Sequence, residues 1–301
     1  MEFIYKDEQK ERLDKYLISQ MPDITRSQIK KIILNGQITV NDQESTVHRW
    51  LKSGDKIQYN PQKVKKDTEF VAEPKIIDQN EEFLVLEKPH ALLVHPTDKG
   101  EINTLADWVM QKFPQAKKIG DDPNRPAIVH RLDKEVSGLI VIPLTQDSFD
   151  NLKKQFQDRT IQKEYTALVH GQMINSSGEI NTPIERDKKT GLMKVQNAKQ
   201  GGKVALTVYE VIKKFINYTL LKVQIKTGRM HQIRAHLYSI GHSIVGDRLY
   251  QTKDLRKKKK VLPQRIFLHS HFLKFKDLEG NWREYHSKLP SELENFLNNI
   301  K

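Results

Sequence analysis

The stretch that most constrains this chain runs from Ala127 to Ile142. Ala127 to Val129 is apolar, Leu139 to Ile142 is apolar again, and His130, Arg131, Asp133 and Lys134 crowd ionisable groups between them. Short runs rich in β-branched residues read as buried strands. The pattern therefore predicts a charged loop pinned by a strand on each side, a placement in which a rigid scaffold can hold a reactive group. On residue types alone an ordinary charged turn is the commoner explanation, because surface ion pairs outnumber catalytic groups.

The rest of the chain limits what such a loop could serve. With 301 residues there is material for one large domain and one small one. Hydrophobic residues at 37% against charged residues at 30% give the balance of a soluble globular protein. No apolar stretch approaches a bilayer span, and charges run through Met1 to Gln20, so we expect a cytoplasmic protein with no membrane partner. The absence of cysteine excludes disulfides and thiolate metal sites, and the 11 histidines show no His-Glu-x-x-His pattern, so no metal is expected. Lys and Arg total 51 against 38 acids, a net +13, which favours a polyanionic partner such as nucleic acid. Residues 1–60 carry 10 basic and 9 acidic groups, so +12 of that excess lies beyond them.

Taken in order, residues 11–59 read as a self-contained helix-helix-strand unit. Leu13, Tyr16 and Leu17 recur at helical spacing, Pro22 interrupts, and Thr25 with Gln28 forms a capping box ahead of Ile29, Ile32 and Ile33. Asn35-Gly36 marks that helix's C-terminus, Ile38 and Val40 a strand, and Asn41-Asp42 a turn. The polar stretch after Gln62 reads as a linker, giving a small domain at 1–61, a linker at 62–73 and a large domain at 74–301. In the large domain Phe83 to Leu86 predicts a buried strand, and Leu105, Trp108, Val109 and Phe113 a helix. Thr145 would cap a second helix buried through Phe149, Leu152 and Phe156. Val204 to Val211 and Tyr218 to Ile225 predict paired antiparallel strands. Irregularly interspersed strands and helices indicate an α+β fold with a mixed, mainly antiparallel sheet. Arg229, Gln232, Ile233 and His236 would share one helix face ending at Gly241, with the role of Arg234 left open. His269 and His271 alternate on a strand, where a structural role is expected, and the basic run Arg256 to Lys260 reads as an RNA-contacting or solvated loop.

Five ordered segments carry a resemblance. His130-Arg131-Leu132-Asp133, followed by Lys134, Ser137, Gly138 and Leu139, looks like the signature of the RluA-type pseudouridine synthases. Glu87 to Pro96, Lys163 to Gly171, Thr227 to His236 and Ile244 to Tyr250 agree in order and spacing. The N-terminal unit, through Arg12 to Leu17, Arg26-Ser27, Asn35 to Asn41 and Leu51 to Ile57, resembles the small RNA-binding domain first described in a ribosomal small-subunit protein. The resemblance implies that Asp133 is catalytic, that Arg229 is its cationic partner, and that Tyr165 lies against the uracil. It also implies that Arg131, with His130, meets the RNA where the base has left, and that Arg26, Lys30 and Lys31 form the small domain's RNA face. Isomerising uridine needs no redox step or group donor, so no cofactor is implied. The expected partner is RNA, ribosomal before transfer RNA, and the expected state a monomer. The rivals are a non-catalytic RNA-binding or ribosome-assembly protein and an RNA N-glycosidase, the latter needing a second carboxylate to activate water, for which Glu135 is the only acid in the loop.

Overall fold

A computed structural model describes residues 1–301 apart from 23, 62–71, 98–100, 124, 197–200, 253 and 256–262. Most of the expected linker and the basic run Arg256 to Lys260 lie outside the described residues. By contacts the chain forms two compact units, Met1–Val71 with His95–Trp108, and Ala72–Val94 with Val109–Lys301. The sequence places 95–108 with the large domain, whereas the contacts group this segment with the small one.

The first unit contains β1 (Glu2–Ile4), α1 (Leu13–Gln20), α2 (Arg26–Leu34), β2 (Ile38–Val40), β3 (Gln43–Glu44) and β4 (Lys56–Tyr59). Its strands form one sheet in the order β1-β4-β2-β3, so the predicted helix-helix-strand unit gains β1, β3 and β4 around β2. The Thr25–Gln28 capping box is present, and Gly36 takes a left-handed φ of 70° after the C-cap Asn35. Asn41 and Asp42 both have positive φ, 53° and 63°, the conformation that a two-residue hairpin turn demands and that short polar side chains tolerate. Leu13, Leu17, Ile29, Ile33, Ile38, Val40, Leu51 and Ile57 fill the core. That packing, more than helix propensity, holds two helices this short.

The second unit is built on a nine-stranded sheet. Its members are β5 (Lys75–Gln79), β6 (Phe83–Lys88), β7 (Ser137–Pro143), β8 (Gln162–His170), β9 (Ser177–Asn181), β12 (Leu206–Lys214), β13 (Tyr218–Ile225), β14 (Leu268–Lys276) and β15 (Trp282–His286). Strands β10 (Ile184–Arg186) and β11 (Met193–Val195) make a separate hairpin. The large sheet runs β5-β6-β7-β14-β8-β13-β12-β9, with β15 also on β14. Among its pairs only β7 with β14 is parallel, so the sheet is mixed and mainly antiparallel. Strand β7 is buried at every residue, which is why its sequence is continuously apolar rather than alternating. Helix α3 (Leu105–Lys112) is divided between the units at Trp108, and the helices wholly in the second are α4 (Gln146–Gln157), α5 (Gln232–Ser239) and α6 (Ser291–Asn298). Thr145 caps α4 by accepting from the Ser148 N–H, and Leu152 packs with Phe83, Val85, Leu139 and Val141. Ile233 and Leu237 of α5 and Leu293 of α6 join another apolar cluster, with Tyr165, Leu168 and Phe267.

Two sequence expectations fail locally. Ala127 to Val129 is not a strand: Pro126 has no N–H to give a ladder, Ala127 sits at a φ of 56°, and its N–H closes a turn onto Ile119. The charged loop is thus pinned by a strand on one side only. Helix α5 begins at Gln232, leaving Arg229 outside it, because His231 at the N-cap adopts a left-handed φ of 50°.

Candidate active site

The loop from His130 to Val136 enters β7 and is nailed down by its own apolar members. Leu132 and Val136 are buried in the core beside Tyr165, and the Val136 N–H returns to the Asp133 carbonyl at 3.1 Å. Gly138, with a φ of 119°, lies at the parallel crossing with β14, where a Cβ would fall 2.2 Å from the Ser270 carbonyl oxygen. Only glycine lets the two strands approach this closely. Below the loop the Lys88 ammonium is fully buried and donates to the carbonyls of Pro89 and Leu92, each at 2.8 Å, and of Lys134 at 3.3 Å. Desolvation, with the nearby Arg265 charge, pulls its pKa down to about 7.

These supports present Asp133, whose side chain keeps 15% of its surface exposed. Arg234 of α5, buried to 2%, sets one guanidinium nitrogen 3.2 Å from Asp133 Oδ2 and 3.6 Å from Glu135 Oε2. Its other edge grips Asp247 through two bonds, Nε to Oδ2 at 2.7 Å and Nη2 to Oδ1 at 2.9 Å. Asp247 is itself buried and accepts the N–H groups of Leu249 and Tyr250. Burial alone would lower the Arg234 pKa, but the Asp247 and Asp133 carboxylates raise it, so the charge is permanent. His231 Nε2 stands 3.9 Å from Asp133 Oδ2, and burial lowers this histidine's pKa. Its Nδ1 meets the Tyr250 hydroxyl, whose ring lies 5.3 Å below the Arg234 guanidinium. Tyr165 is buried on β8 opposite Ser270, and desolvation, then the Asp133 charge, push its phenol far up so that it stays protonated.

The structure corrects the expected partner of Asp133. Arg229 directs its Nε to the Val204 carbonyl at 3.1 Å, and the arginine that reaches Asp133 is Arg234. The segment Thr227 to His236 contains both arginines, and the resemblance implied Arg229, which lies outside the helix. The start at Gln232 turns Arg234 towards the loop instead. Gln232 explains the local geometry: its Oε1 accepts from Thr227 Oγ1 and the Arg229 N–H, and its Nε2 donates to Leu206 O and Thr207 Oγ1. His130 also differs from expectation. Its ring stacks on Phe156 at 4.6 Å and its Nε2 accepts the Val141 N–H, so the side chain serves the fold, and burial drives its pKa well down. Arg131 remains exposed at the loop. His269 bonds Ser137 and Ser287 through its two ring nitrogens, and His271 lies against Thr166 and Glu164. Among the described residues no group of three or more ligand-type side chains could hold a metal. Asp247 and Tyr250 were passed over in the sequence, although the matching segment Ile244 to Tyr250 signals both.

In the first unit, Arg26 is 56% exposed and sits 3.3 Å from the buried Asp14. Lys30 is half-buried, and Lys31 lies 3.8 Å from Asp107. The three therefore share α2, but two of them also carry ion pairs inside the unit.

Comparison with known proteins agrees with this geometry. Residues 82–239 match the family described as RNA pseudouridylate synthase, and residues 11–57 match the S4 domain. An RNA pseudouridine synthase of Aquifex aeolicus is 39% identical over 273 residues, covering 87% of this chain and 83% of its own. The ribosomal large subunit pseudouridine synthase D of Neisseria meningitidis serogroup A is 31% identical over 300 residues, covering 96% of this chain and 79% of its own. Among solved structures, human RNA pseudouridylate synthase domain containing 4 superposes with a TM-score of 0.58 at 25% identity, covering 75% of this chain and 94% of that one. Sheet, loop and matches together define the class, an isomerase acting on RNA, with RNA as its partner. Within that class the chain belongs to the RluA-type RNA pseudouridine synthase family, in the form that carries an N-terminal S4 domain.

Proposed function

We propose that this chain converts chosen uridines of large-subunit ribosomal RNA to pseudouridine, with Asp133 as the group that acts on the nucleoside. The observation that carries the reading is the Asp133–Arg234–Asp247 arrangement. One carboxylate is buried behind the guanidinium and anchors it, while the other remains reachable from solvent. An anchored guanidinium is preorganised, so it stabilises charge on Asp133 without reorganising during reaction. The isomerisation breaks the bond from ribose C1′ to uracil N1, turns the base, and joins C5 to C1′, the C5 proton leaving as N1 gains one. Asp133 can attack C1′ or remove a ribose proton, and either route avoids a free ribosyl cation. Tyr165, held protonated, is suited to wall the uracil and relay a proton rather than to act as a phenolate base. A paired base must first leave its helix, and the exposure of Arg131 supports the reading that its side chain fills the gap.

The printed name of the Neisseria relative supports ribosomal RNA as the target, and the +12 carried beyond residue 60 supports a nucleic-acid partner in general. We assign affinity and target choice to the N-terminal unit, chemistry to the second, and a monomeric state. Mapping pseudouridines across total RNA with and without this gene tests the target. Loss of one or a few large-subunit positions is expected; loss confined to transfer RNA would refute the target. Mass analysis of products tests the reaction, because an isomerase conserves mass whereas a glycosidase frees uracil.

A further inference from the structure

We infer that Trp50, Arg12, Arg26 and His48 of the S4 unit form a subsite for one unpaired nucleotide, the indole stacking on its base and the two guanidiniums facing its phosphate. The inference rests on the RNA reading above and adds a binding site to it. Trp50 is 58% exposed although its neighbour Leu51 and nearby Val47 are core residues, so the indole contributes little to the fold. A lone exposed aromatic is ordinary. What lies beside this one is not. Arg12 and Trp50 pair as an antiparallel bridge, with Leu13 N–H bonded to Arg49 O and Leu51 N–H to Glu11 O on either side. Residues directly opposite in such a bridge project to the same face. Arg12 is fixed there by two bonds to Asp14, Nε to Oδ1 at 2.9 Å and Nη2 to Oδ2 at 2.8 Å, and Arg26 reaches the same Oδ2 at 3.3 Å. His48 Nδ1 touches Arg12 Nη2, closing the cluster.

Asp14 is completely buried, and a buried carboxylate with two arginines is a costly way to stabilise so small a unit. Its effect is to hold Arg12 beside the exposed indole across the bridge, with Arg26 on the same carboxylate, which reduces ordering costs that a ligand would otherwise meet. The cluster keeps a net positive charge, Arg12 and Arg26 against Asp14, so the occupant is anionic. The π-face selects a planar base free of its own stack, and together these describe an unpaired nucleotide rather than a duplex.

The test uses the full chain with two probes, a uridine-rich single-stranded oligonucleotide and a perfect duplex of equal length. Trp50→Leu should weaken single-strand binding by about fivefold or more, from the ~1 kcal/mol lower bound for one stacked base, and leave duplex binding unchanged. Trp50→Phe should restore most of the loss. Trp50→Leu should keep the salt slope, whereas Arg26→Gln should reduce it by ~0.7 for the lost phosphate contact. In a Trp282→Phe background the single strand should quench fluorescence through Trp50, because Trp108 is buried. Parental affinity of Trp50→Leu for the single strand, or equal losses on both probes, would overturn the subsite. If the unsubstituted chain forms pseudouridine while Trp50→Leu binds normally, the subsite alone is wrong; if it forms none, the functional reading itself fails.

Discussion

Arg234 serves two carboxylates at once, and the consequences of removing it differ from those of removing either partner. Without it Asp247 is left buried and unpaired, a situation that typically costs ~3–5 kcal/mol, so Arg234→Ala should unfold at markedly lower denaturant and lose turnover. Arg234→Lys should rescue little, since a point charge cannot fork between Asp247 and Asp133. Arg229→Ala should leave stability near that of the parent, because its side chain gives up only one partly exposed bond to Val204. Urea unfolding of the three variants checks this, and equal losses for Arg229→Ala and Arg234→Ala would show that the fork is not what secures Asp133. Lys88 titrates in a defined window. Its folded pKa of about 7 lies below the unfolded ~10.4, so between these values the unfolded chain holds more protons and stability should rise with pH, by at most ~1.4 kcal/mol per unit. The gain is absent below about pH 7 and complete near pH 10. Unfolding curves at pH 7 and 9 should show that slope in the parent and a flatter one in Lys88→Met.

At the scale of elements, the parallel crossing of β7 and β14 sets where the loop begins. Gly138→Ala should cost at least ~2 kcal/mol, because the methyl meets backbone on the neighbouring strand and the φ of 119° is strained for any Cβ. Chemical denaturation that finds this variant as stable as the parent would mean the strands can separate freely. Much of this layer was legible. The Thr25–Gln28 box, Thr145 as a cap, the buried strand at Phe83 and the β12–β13 pair follow from local rules of capping and periodicity, and all are present. The failures lie where local rules stop. Ala127 to Val129 has strand composition, yet Pro126 and a positive φ bend it into a turn. Which of the two arginines met Asp133 is settled by contact between α5 and a loop distant in the chain, which neither the resemblance nor a residue-type rule supplied. The segment Ile244 to Tyr250 signals Asp247, but not its pairing with Arg234, because single-sequence reading does not pair residues across the fold.

At the scale of the whole molecule, the excess charge lies beyond residue 60, yet our proposal also gives Arg26 and Lys30 of the S4 unit a share in RNA binding. Replacing Arg26 and Lys30 together by glutamine should weaken RNA binding and flatten its salt dependence, by ~0.7 in slope per lost contact on single strands. The rate at saturating RNA in a single turnover should not change, since Asp133, Tyr165 and Arg234 are untouched. A collapse in that rate with folding intact would show that the small unit helps assemble the site.

The central claim is that Asp133 performs a uridine isomerisation, and release of the C5 hydrogen reads it directly. Large-subunit ribosomal RNA carrying tritium at uracil C5 is incubated with the parent chain and with Asp133→Asn, whose thermal unfolding and RNA affinity are measured alongside. The account predicts tritium release by the parent in step with pseudouridine formation and without free uracil, and none by Asp133→Asn, whose stability and affinity stay close to the parent's. Comparable release from Asp133→Asn, or free uracil from the parent, would contradict it.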